Sequence, residues 1–377
     1  MSSPQPLATL GIHHITMVST DAARTVHFYG GLLGIPLVKR TVNFDDPGAW
    51  HLYFGLEDGA PGTLLTFFEW RHVPRGHWGV GGVHHVALSV PDLDALLRWK
   101  RRLTDAGVPV TGPLDRGYFT SLYFSDPDGQ VLELATAGPG YAIDEPADAL
   151  GQTLITPPDE RLPDGRDEAA IADSSWPDPV TSIDNGMAIT GIHHISAISD
   201  DLAAQHEFFA QGLGLPLIKK TLNQDDARTQ HWFWARYDGS VVAPRSSYTI
   251  FGWPGSQYRA RPGAGQTHHV AFRARDDDEQ AAWLDHLKAH GIAATEVQDR
   301  DYFRSIYFKA PDGMLFEIAT DGPGFAIDEP REALGRTLQL PEWLEGQRDR
   351  IEAALSPLPD PDDALEYTLN PQAAPSS

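Results

Sequence analysis

GIHHI at residues 11–15 returns letter for letter at 191–195, and GVHHV at 82–86 and THHV at 267–270 carry the same doubled histidine. Eight of the sixteen histidines lie in these four pairs, each inside a short apolar run. A histidine pair copied four times in one context marks a repeated structural unit, and the surrounding sequence bears this out.

Residues 117–154 align without a gap on 301–338, with 24 of 38 positions identical, and 11–46 matches 191–226. The chain therefore divides into an N-terminal half over 8–155, an acidic, Pro-rich linker over 156–187, a C-terminal half over 188–340, and a helix and tail over 341–377. Within each half the doubled histidine occurs twice, which gives four modules starting near 10, 80, 190 and 265. Each reads alike. A strand carrying the pair leads into a helix, as in DLDALLRWKRRLTDAG at 92–107, where Leu93, Leu96, Leu97 and Leu103 stand at helical spacing. Strand-like runs follow, and Pro-Asp-Gly between apolar stretches in SLYFSDPDGQVLELAT signals a hairpin. The unit is βαβββ, and the fold class is α+β. PEWLEGQRDRIEAAL at 341–355 reads as one helix with Pro341 in its first turn, followed beyond Pro357 by an extended or frayed tail.

Composition narrows the chemistry. A formal charge of −23 disfavours nucleic acid and anionic membranes as partners, because phosphate recognition needs clustered Lys and Arg. No run of eighteen apolar residues exists, so the expected setting is cytoplasmic, with no membrane partner. With no cysteine anywhere, a metal site must be built from imidazole and carboxylate.

Both are present in register. Glu133 in QVLELAT and Glu317 in MLFEIAT each follow the second histidine of their module by 48 residues. A carboxylate in an apolar strand is costly unless paired or bound to a cation. Modules one and three place Thr66 and Thr249 at that position. Strand alternation predicts that one imidazole of each pair points inward and the other away, without saying which. Arg116 and Arg300 precede the glutamates by 17 residues, Tyr123 and Tyr307 by 10. His51 and His231, and Asn43 and Asn223, also recur and read as residues near the pocket, while IDEP at 143–146 and 327–330 reads as a turn fixing the chain after the last strand.

The modules, with HHIT, VKRT followed by HLYF and PGT, and the late pattern DRxYFxSxYxxxPxGxxFE, resemble the vicinal oxygen chelate superfamily, and within it the ring-cleaving dioxygenases of hydroquinones and chlorohydroquinones. The resemblance covers nearly the whole chain and implies two pseudo-twofold-related, cupped, barrel-like sheets. It implies Fe(II), with Mn(II) as the alternative, held by His14, His269 and Glu317. His13, Thr16, His268, Arg300 and Tyr307 would then surround an aromatic substrate and O2. This chain departs from the family pattern by keeping a second set, His85, His194 and Glu133, with His84, His193, Arg116 and Tyr123, so two metal sites are expected. Pairing within halves would instead give His14/His85/Glu133 and His194/His269/Glu317. The rival functions are a glyoxalase-type isomerase or lyase, which would want a carboxylate or amide at Thr66 and Thr249, and a non-catalytic protein sequestering a quinone or drug. A homo-oligomer is left open.

Overall fold

The computed structural model describes residues 7–360. Module one contributes β1 (Ile12–Ser19), helix α1 (Ala22–Thr25, running on as a π-helix to Leu32), β2 (Leu37–Asn43), β3 (Asp46–Phe54) and β4 (Leu64–Glu69). Module two contributes β5 (Gly82–Val90), α2 (Leu93–Asp105), β6 (Thr111–Asp115), β7 (Thr120–Ser125) and β8 (Val131–Thr136). The short strand β9 (Leu154–Ile155) and helix α3 (Glu168–Asp173) lie between the halves. Module three holds β10 (Ile192–Ser199), α4 (Leu202–Glu207), β11 (Leu217–Asn223), β12 (Asp226–Trp234) and β13 (Ser247–Gly252). Module four holds β14 (Thr267–Ala274), α5 (Asp277–Ala289), β15 (Gln298–Asp299), β16 (Phe303–Lys309) and β17 (Leu315–Pro323), and α6 (Glu342–Glu345) and α7 (Arg348–Ala354) close the chain.

Each sheet takes one module from each half. The first runs β15-β16-β17-β14-β1-β4-β3-β2, the second β6-β7-β8-β5-β10-β13-β12-β11-β9. Their seams are the antiparallel pairs β1–β14 and β5–β10, so modules one and four share a cupped sheet, and modules two and three share the other.

All four module helices start on an aspartate, Asp21, Asp92, Asp201 or Asp276, whose side chain accepts the backbone N–H three residues on. Such a cap stabilises a helix by about 1 kcal/mol. In α2 the buried face is Ala95, Leu96, Trp99 and Leu103, whereas Leu93 is 48% exposed and lies off the core face its spacing suggested. Trp99 donates its indole N–H to the Met187 carbonyl at 2.6 Å, which docks α2 on the end of the linker. Truncating so buried an indole costs about 3–5 kcal/mol.

The IDEP turns fix the modules to each other. Lys39 on β2, fully buried, reaches Asp328 at 2.5 Å and Glu329 at 2.6 Å, and Lys219 on β11 meets Asp144 and Glu145 in the same way. A buried ammonium is tolerable only with such partners. The C-terminal stretch differs from its expected single helix. Pro341 is the residue before the first turn of α6, and the helix breaks at Gly346 and Gln347 before α7 begins. The tail beyond residue 360 lies outside the described residues.

Candidate metal centres

The doubled histidines sit on β-bulges. Along the β1–β14 seam Ile12 faces Phe272 but His14 faces Ala271, and Thr16 faces His269 but Met17 faces Thr267. Each slip gives one strand an extra residue, and those residues are His13 and His268. In the β5–β10 seam the extra residues are His193 and His84. A bulge breaks strict alternation and re-aims a side chain. The two imidazoles of a pair therefore do not point to opposite faces, as period-two reasoning predicted. Their Nδ1 atoms meet at 2.9 Å in His13/His14 and at 2.8 Å in the other three pairs.

That contact orients the second ring. His13 and His193 each also hydrogen-bond a backbone group, at Thr320 and Thr136. Burial, reinforced by the neighbouring His14 or His194, pushes both down to about 3, so they are neutral. With Nδ1 of the first ring accepting, the proton shared within the pair sits on Nδ1 of His14 or His194, which leaves Nε2 as the ring atom available to a metal.

The Nε2 atoms converge on the glutamates. His14 Nε2 lies 3.3 Å from His269 Nε2 and 3.4 Å from a Glu317 oxygen, and His269 lies 2.9 Å from that oxygen. In the second sheet the distances are 3.3 Å for His85–His194, 2.8 Å for His85–Glu133 and 3.2 Å for His194–Glu133. These are the two buried His/Glu groups with metal-ligand spacing among the described residues. The within-half pairing is thereby excluded.

The donor sets fit a divalent ion. Donors on bonds of about 2.1 Å stand about 3.0 Å apart at right angles and about 3.4 Å apart tetrahedrally. Moreover, both oxygens of Glu133 and one of Glu317 are buried with no hydrogen-bond partner. Burial alone pushes both carboxyls up, so anionic oxygens facing imidazole nitrogens there call for positive charge between them, which a bound cation would supply.

Around the first centre lies a cavity of about 410 Å³ lined by His14, His51, Phe68, Trp70, His268, Arg300, Phe303, Tyr307 and Glu317, among others. Tyr307 is the register partner of Glu317 across β16–β17, so the even spacing does keep both on one face. The Arg300 guanidinium reaches the Tyr307 hydroxyl at 3.3 Å and lies over its ring. Burial and Glu317 nevertheless push the phenol up, so it stays protonated. Burial and His269 push His268 down to about 4. Thr16 lies 3.0 Å from His269 Nε2 and bonds Thr66 at 2.8 Å. His13 is not in the cavity lining; its ring packs on Phe303.

Thr66 pairs with Thr16 as Glu317 pairs with Ala271, which confirms its placement at the position of the missing carboxylate. His51 Nε2 meets the Thr66 hydroxyl at 3.1 Å and Nδ1 meets the Tyr53 hydroxyl at 3.0 Å. His51 and Asn43, whose recurrence placed them near the pocket, both line it, whereas Tyr53 and the aromatic wall belong to the site without having been singled out.

The second centre has the same parts in a tighter space. Tyr123 pairs with Glu133, and Arg116 bonds Tyr123 at 3.1 Å and Asp225 at 2.8 Å. Thr249 bonds Ser196 at 2.6 Å and His231 at 2.7 Å. The space beside His85 and His194 amounts to about 20 Å³, room for about one water. His84 packs outside it against Trp78 and Phe251, and His193 lines a separate cavity.

Residues 11–134 and 191–318 both match the model of the Glyoxalase/Bleomycin resistance protein/Dioxygenase superfamily. The chain belongs to this superfamily. Its relatives include MhqO of Bacillus subtilis (strain 168), named as a ring-cleaving dioxygenase, 35% identical over 93% of this chain and 96% of that one. The chlorohydroquinone/hydroquinone 1,2-dioxygenase of Sphingobium indicum is 29% identical over 90% of this chain and 94% of its own. A crystal structure of a Bacillus subtilis protein described as a dioxygenase superposes with a TM-score of 0.74 at 33% identity, covering 94% of this chain and 98% of that one. Among the described residues no helix is long and apolar enough to cross a membrane.

Proposed function

We propose that the protein is a ring-cleaving dioxygenase of extradiol type that opens a hydroquinone- or catechol-type ring with O2 at the first centre. The observation that carries this reading is a three-donor His/His/Glu cluster at the base of a cavity of about 410 Å³. Three protein donors leave coordination positions for other ligands, as in the 2-His-1-carboxylate iron oxygenases. His14, His269 and Glu317 would hold Fe(II), with Mn(II) as the alternative, and the metal would supply electron transfer between the ring oxygen and dioxygen.

The remaining steps fall to the chain. Phe68, Trp70 and Phe303 give the ring flat apolar walls and exclude water. His268, neutral above about pH 4, accepts the hydroxyl proton as the ring oxygen ionises. Tyr307, kept protonated, donates to an oxygen of the ring, and Arg300 favours negative charge there. At the position where a glyoxalase-type lyase would want a fourth ligand, Thr66 is engaged by Thr16 and His51 instead.

Anaerobic loading with Fe(II), then oxygen-uptake assays with hydroquinone and catechol, test the proposal. The expected result is one O2 consumed per ring opened. No uptake with either substrate class, together with turnover of a glutathione adduct, would transfer the assignment to the isomerase reading.

A further inference from the structure

The donors of the first centre stand on the middle strands of the cup, His14 on β1, His269 on β14 and Glu317 on β17. The two outermost strands, β2 and β15, each bring one side-chain amide to the same cavity, Asn43 and Gln298. Gln298 lies opposite Ser305 of β16, two strands out from Glu317, which at about 4.8 Å per strand sets their backbones about 10 Å apart. The two rims meet across the mouth, where the Asp45 carboxylate, its side chain 79% exposed, stands 3.4 Å from Arg300. Metal donors on the floor and amides on the rim thus face one cavity from opposite ends.

Both amides have their oxygen fixed. Asn43 Oδ1 accepts the backbone N–H of Asp45 at 3.0 Å, and Gln298 Oε1 accepts from Arg300 at 2.6 Å. Turning either amide over would set N–H against N–H, so the nitrogens are the ends left over. Among the described residues neither Asn43 Nδ2 nor Gln298 Nε2 has a hydrogen-bond partner, and neither is sealed from water. Asn43 is only 8% exposed and lines the cavity, so that is where its nitrogen opens.

The other sheet shows which of these the module itself requires. Asn223 repeats the Asn43 turn, its Oδ1 on the Asp225 N–H at 3.0 Å. At the Gln298 position, however, stands Leu114, opposite Ser121 as Gln298 is opposite Ser305. The glutamine therefore belongs to the open centre and not to the repeat. A cavity with a metal site at one end and two N–H donors at the other suits a ring with oxygen at both ends. A catechol, with both oxygens at one end, would leave the rim donors unpaired.

We infer that Asn43 Nδ2 and Gln298 Nε2 determine specificity by donating to a ring oxygen para to the one that faces the three metal donors. The site then takes para-oxygenated phenols, hydroquinones and their mono-ethers, over catechols. This rests on the ring-binding reading proposed above.

4-Methoxyphenol and 4-ethylphenol test it, because they differ by an oxygen for a methylene at the para position and neither can donate there. Both are titrated calorimetrically into the full chain loaded anaerobically with Fe(II), so that binding is read without turnover. Asn43→Asp and Gln298→Glu keep the oxygens that hold Asp45 and Arg300 and exchange each donor for an acceptor. Each should lower the preference for 4-methoxyphenol over 4-ethylphenol about 3- to 10-fold relative to wild type. A purely structural role would weaken both ligands alike. Should Gln298→Glu not fold, Gln298→Leu, the residue the repeat uses, makes the same test. A preference unchanged in the variants overturns the proposal. Oxygen uptake with hydroquinone beside an unchanged preference would mean that ring cleavage stands and the rim donors fail; a lowered preference without oxygen uptake would mean the reverse.

Discussion

The first centre opens onto about 410 Å³ and the second onto about 20 Å³, although donors, tyrosine, arginine and threonine correspond one to one. The difference lies in the turn after β2 and β11. In the first sheet Phe44 of that turn meets Trp343 of α6 edge to face with ring centroids 5.5 Å apart, while Asp45 stands 3.4 Å from Arg300. In the second sheet Gln224 replaces Phe44 and donates to the Arg116 carbonyl at 2.9 Å. Asp225 is gripped at 2.8 Å by both Arg116 and Arg166, and Arg166 also holds the Gln224 carbonyl at 2.7 Å. Identical ligand sets thus acquire different access from segments outside the modules, one apolar and drawing its turn outward, the other cationic and clamping its turn down.

The largest expected asymmetry is in turnover. Glu317→Gln removes an anionic donor from the open centre and should lower kcat/KM more than about 100-fold, since even partners behind a metal ligand are worth about 10–100-fold. The same substitution at Glu133 should change kcat/KM less than about threefold. Comparable losses in steady-state assays of the two variants would erase the distinction.

Glu133→Gln should register in stability instead. A ligand at 100 times its Kd stabilises the folded chain by about 2.7 kcal/mol. The gap between metal-loaded and chelator-stripped melting temperatures should therefore shrink in this variant, read by calorimetry alongside metal content. An unchanged gap with two metals still bound would show that Glu133 is no donor.

Arg166→Ala tests the clamp directly. With both centres loaded, wild type should bind one equivalent of 4-nitrocatechol at metal, seen by its shifted visible absorption, and the variant should show a second, weaker equivalent. Retention of a single equivalent would mean that Arg116 and Gln224 close the site without help.

Much of this was legible in sequence because the copies are in register. The spacing of 48 from histidine to glutamate, the tyrosine ten residues before it and the threonine in its place elsewhere all survive into three dimensions. Three features were not legible, each for a physical reason. Which modules share a sheet came from the family resemblance alone, because it depends on the β1–β14 and β5–β10 seams, long-range pairings with no local signal. The bulges at His13, His84, His193 and His268 add a residue to one strand only relative to its partner, so period-two reading of that strand alone sends the rings apart. Closure of the second centre depends on Arg166, in a segment whose acidic, Pro-rich composition reads as a plain linker.

The smallest expected effect concerns a pair that only one side of the molecule has. Tyr29 donates to buried Asp126 at 3.0 Å, whereas the repeat places Phe209 and Ala310 at these positions. Burial pushes the Asp126 carboxyl up to about 6, from an ordinary value near 3.8. Between those limits the folded chain holds a proton that the unfolded chain has released, so this group's contribution to stability falls as pH rises from about 4 to 6, by at most about 3 kcal/mol. Asp126→Asn keeps an acceptor for the backbone N–H groups of Asp128 and Gln130, which bond the carboxylate at 2.9 and 2.8 Å, and abolishes the titration. Urea unfolding of this variant at pH 4, 5 and 6 should show a flatter dependence than wild type. The double replacement Tyr29→Phe/Asp126→Ala, which copies the other side, should cost less than the sum of its single changes, because each single change strands a buried polar partner. Strict additivity would indicate that the hydroxyl and carboxylate contribute separately, and that the copied pair is a neutral alternative rather than a coupled one.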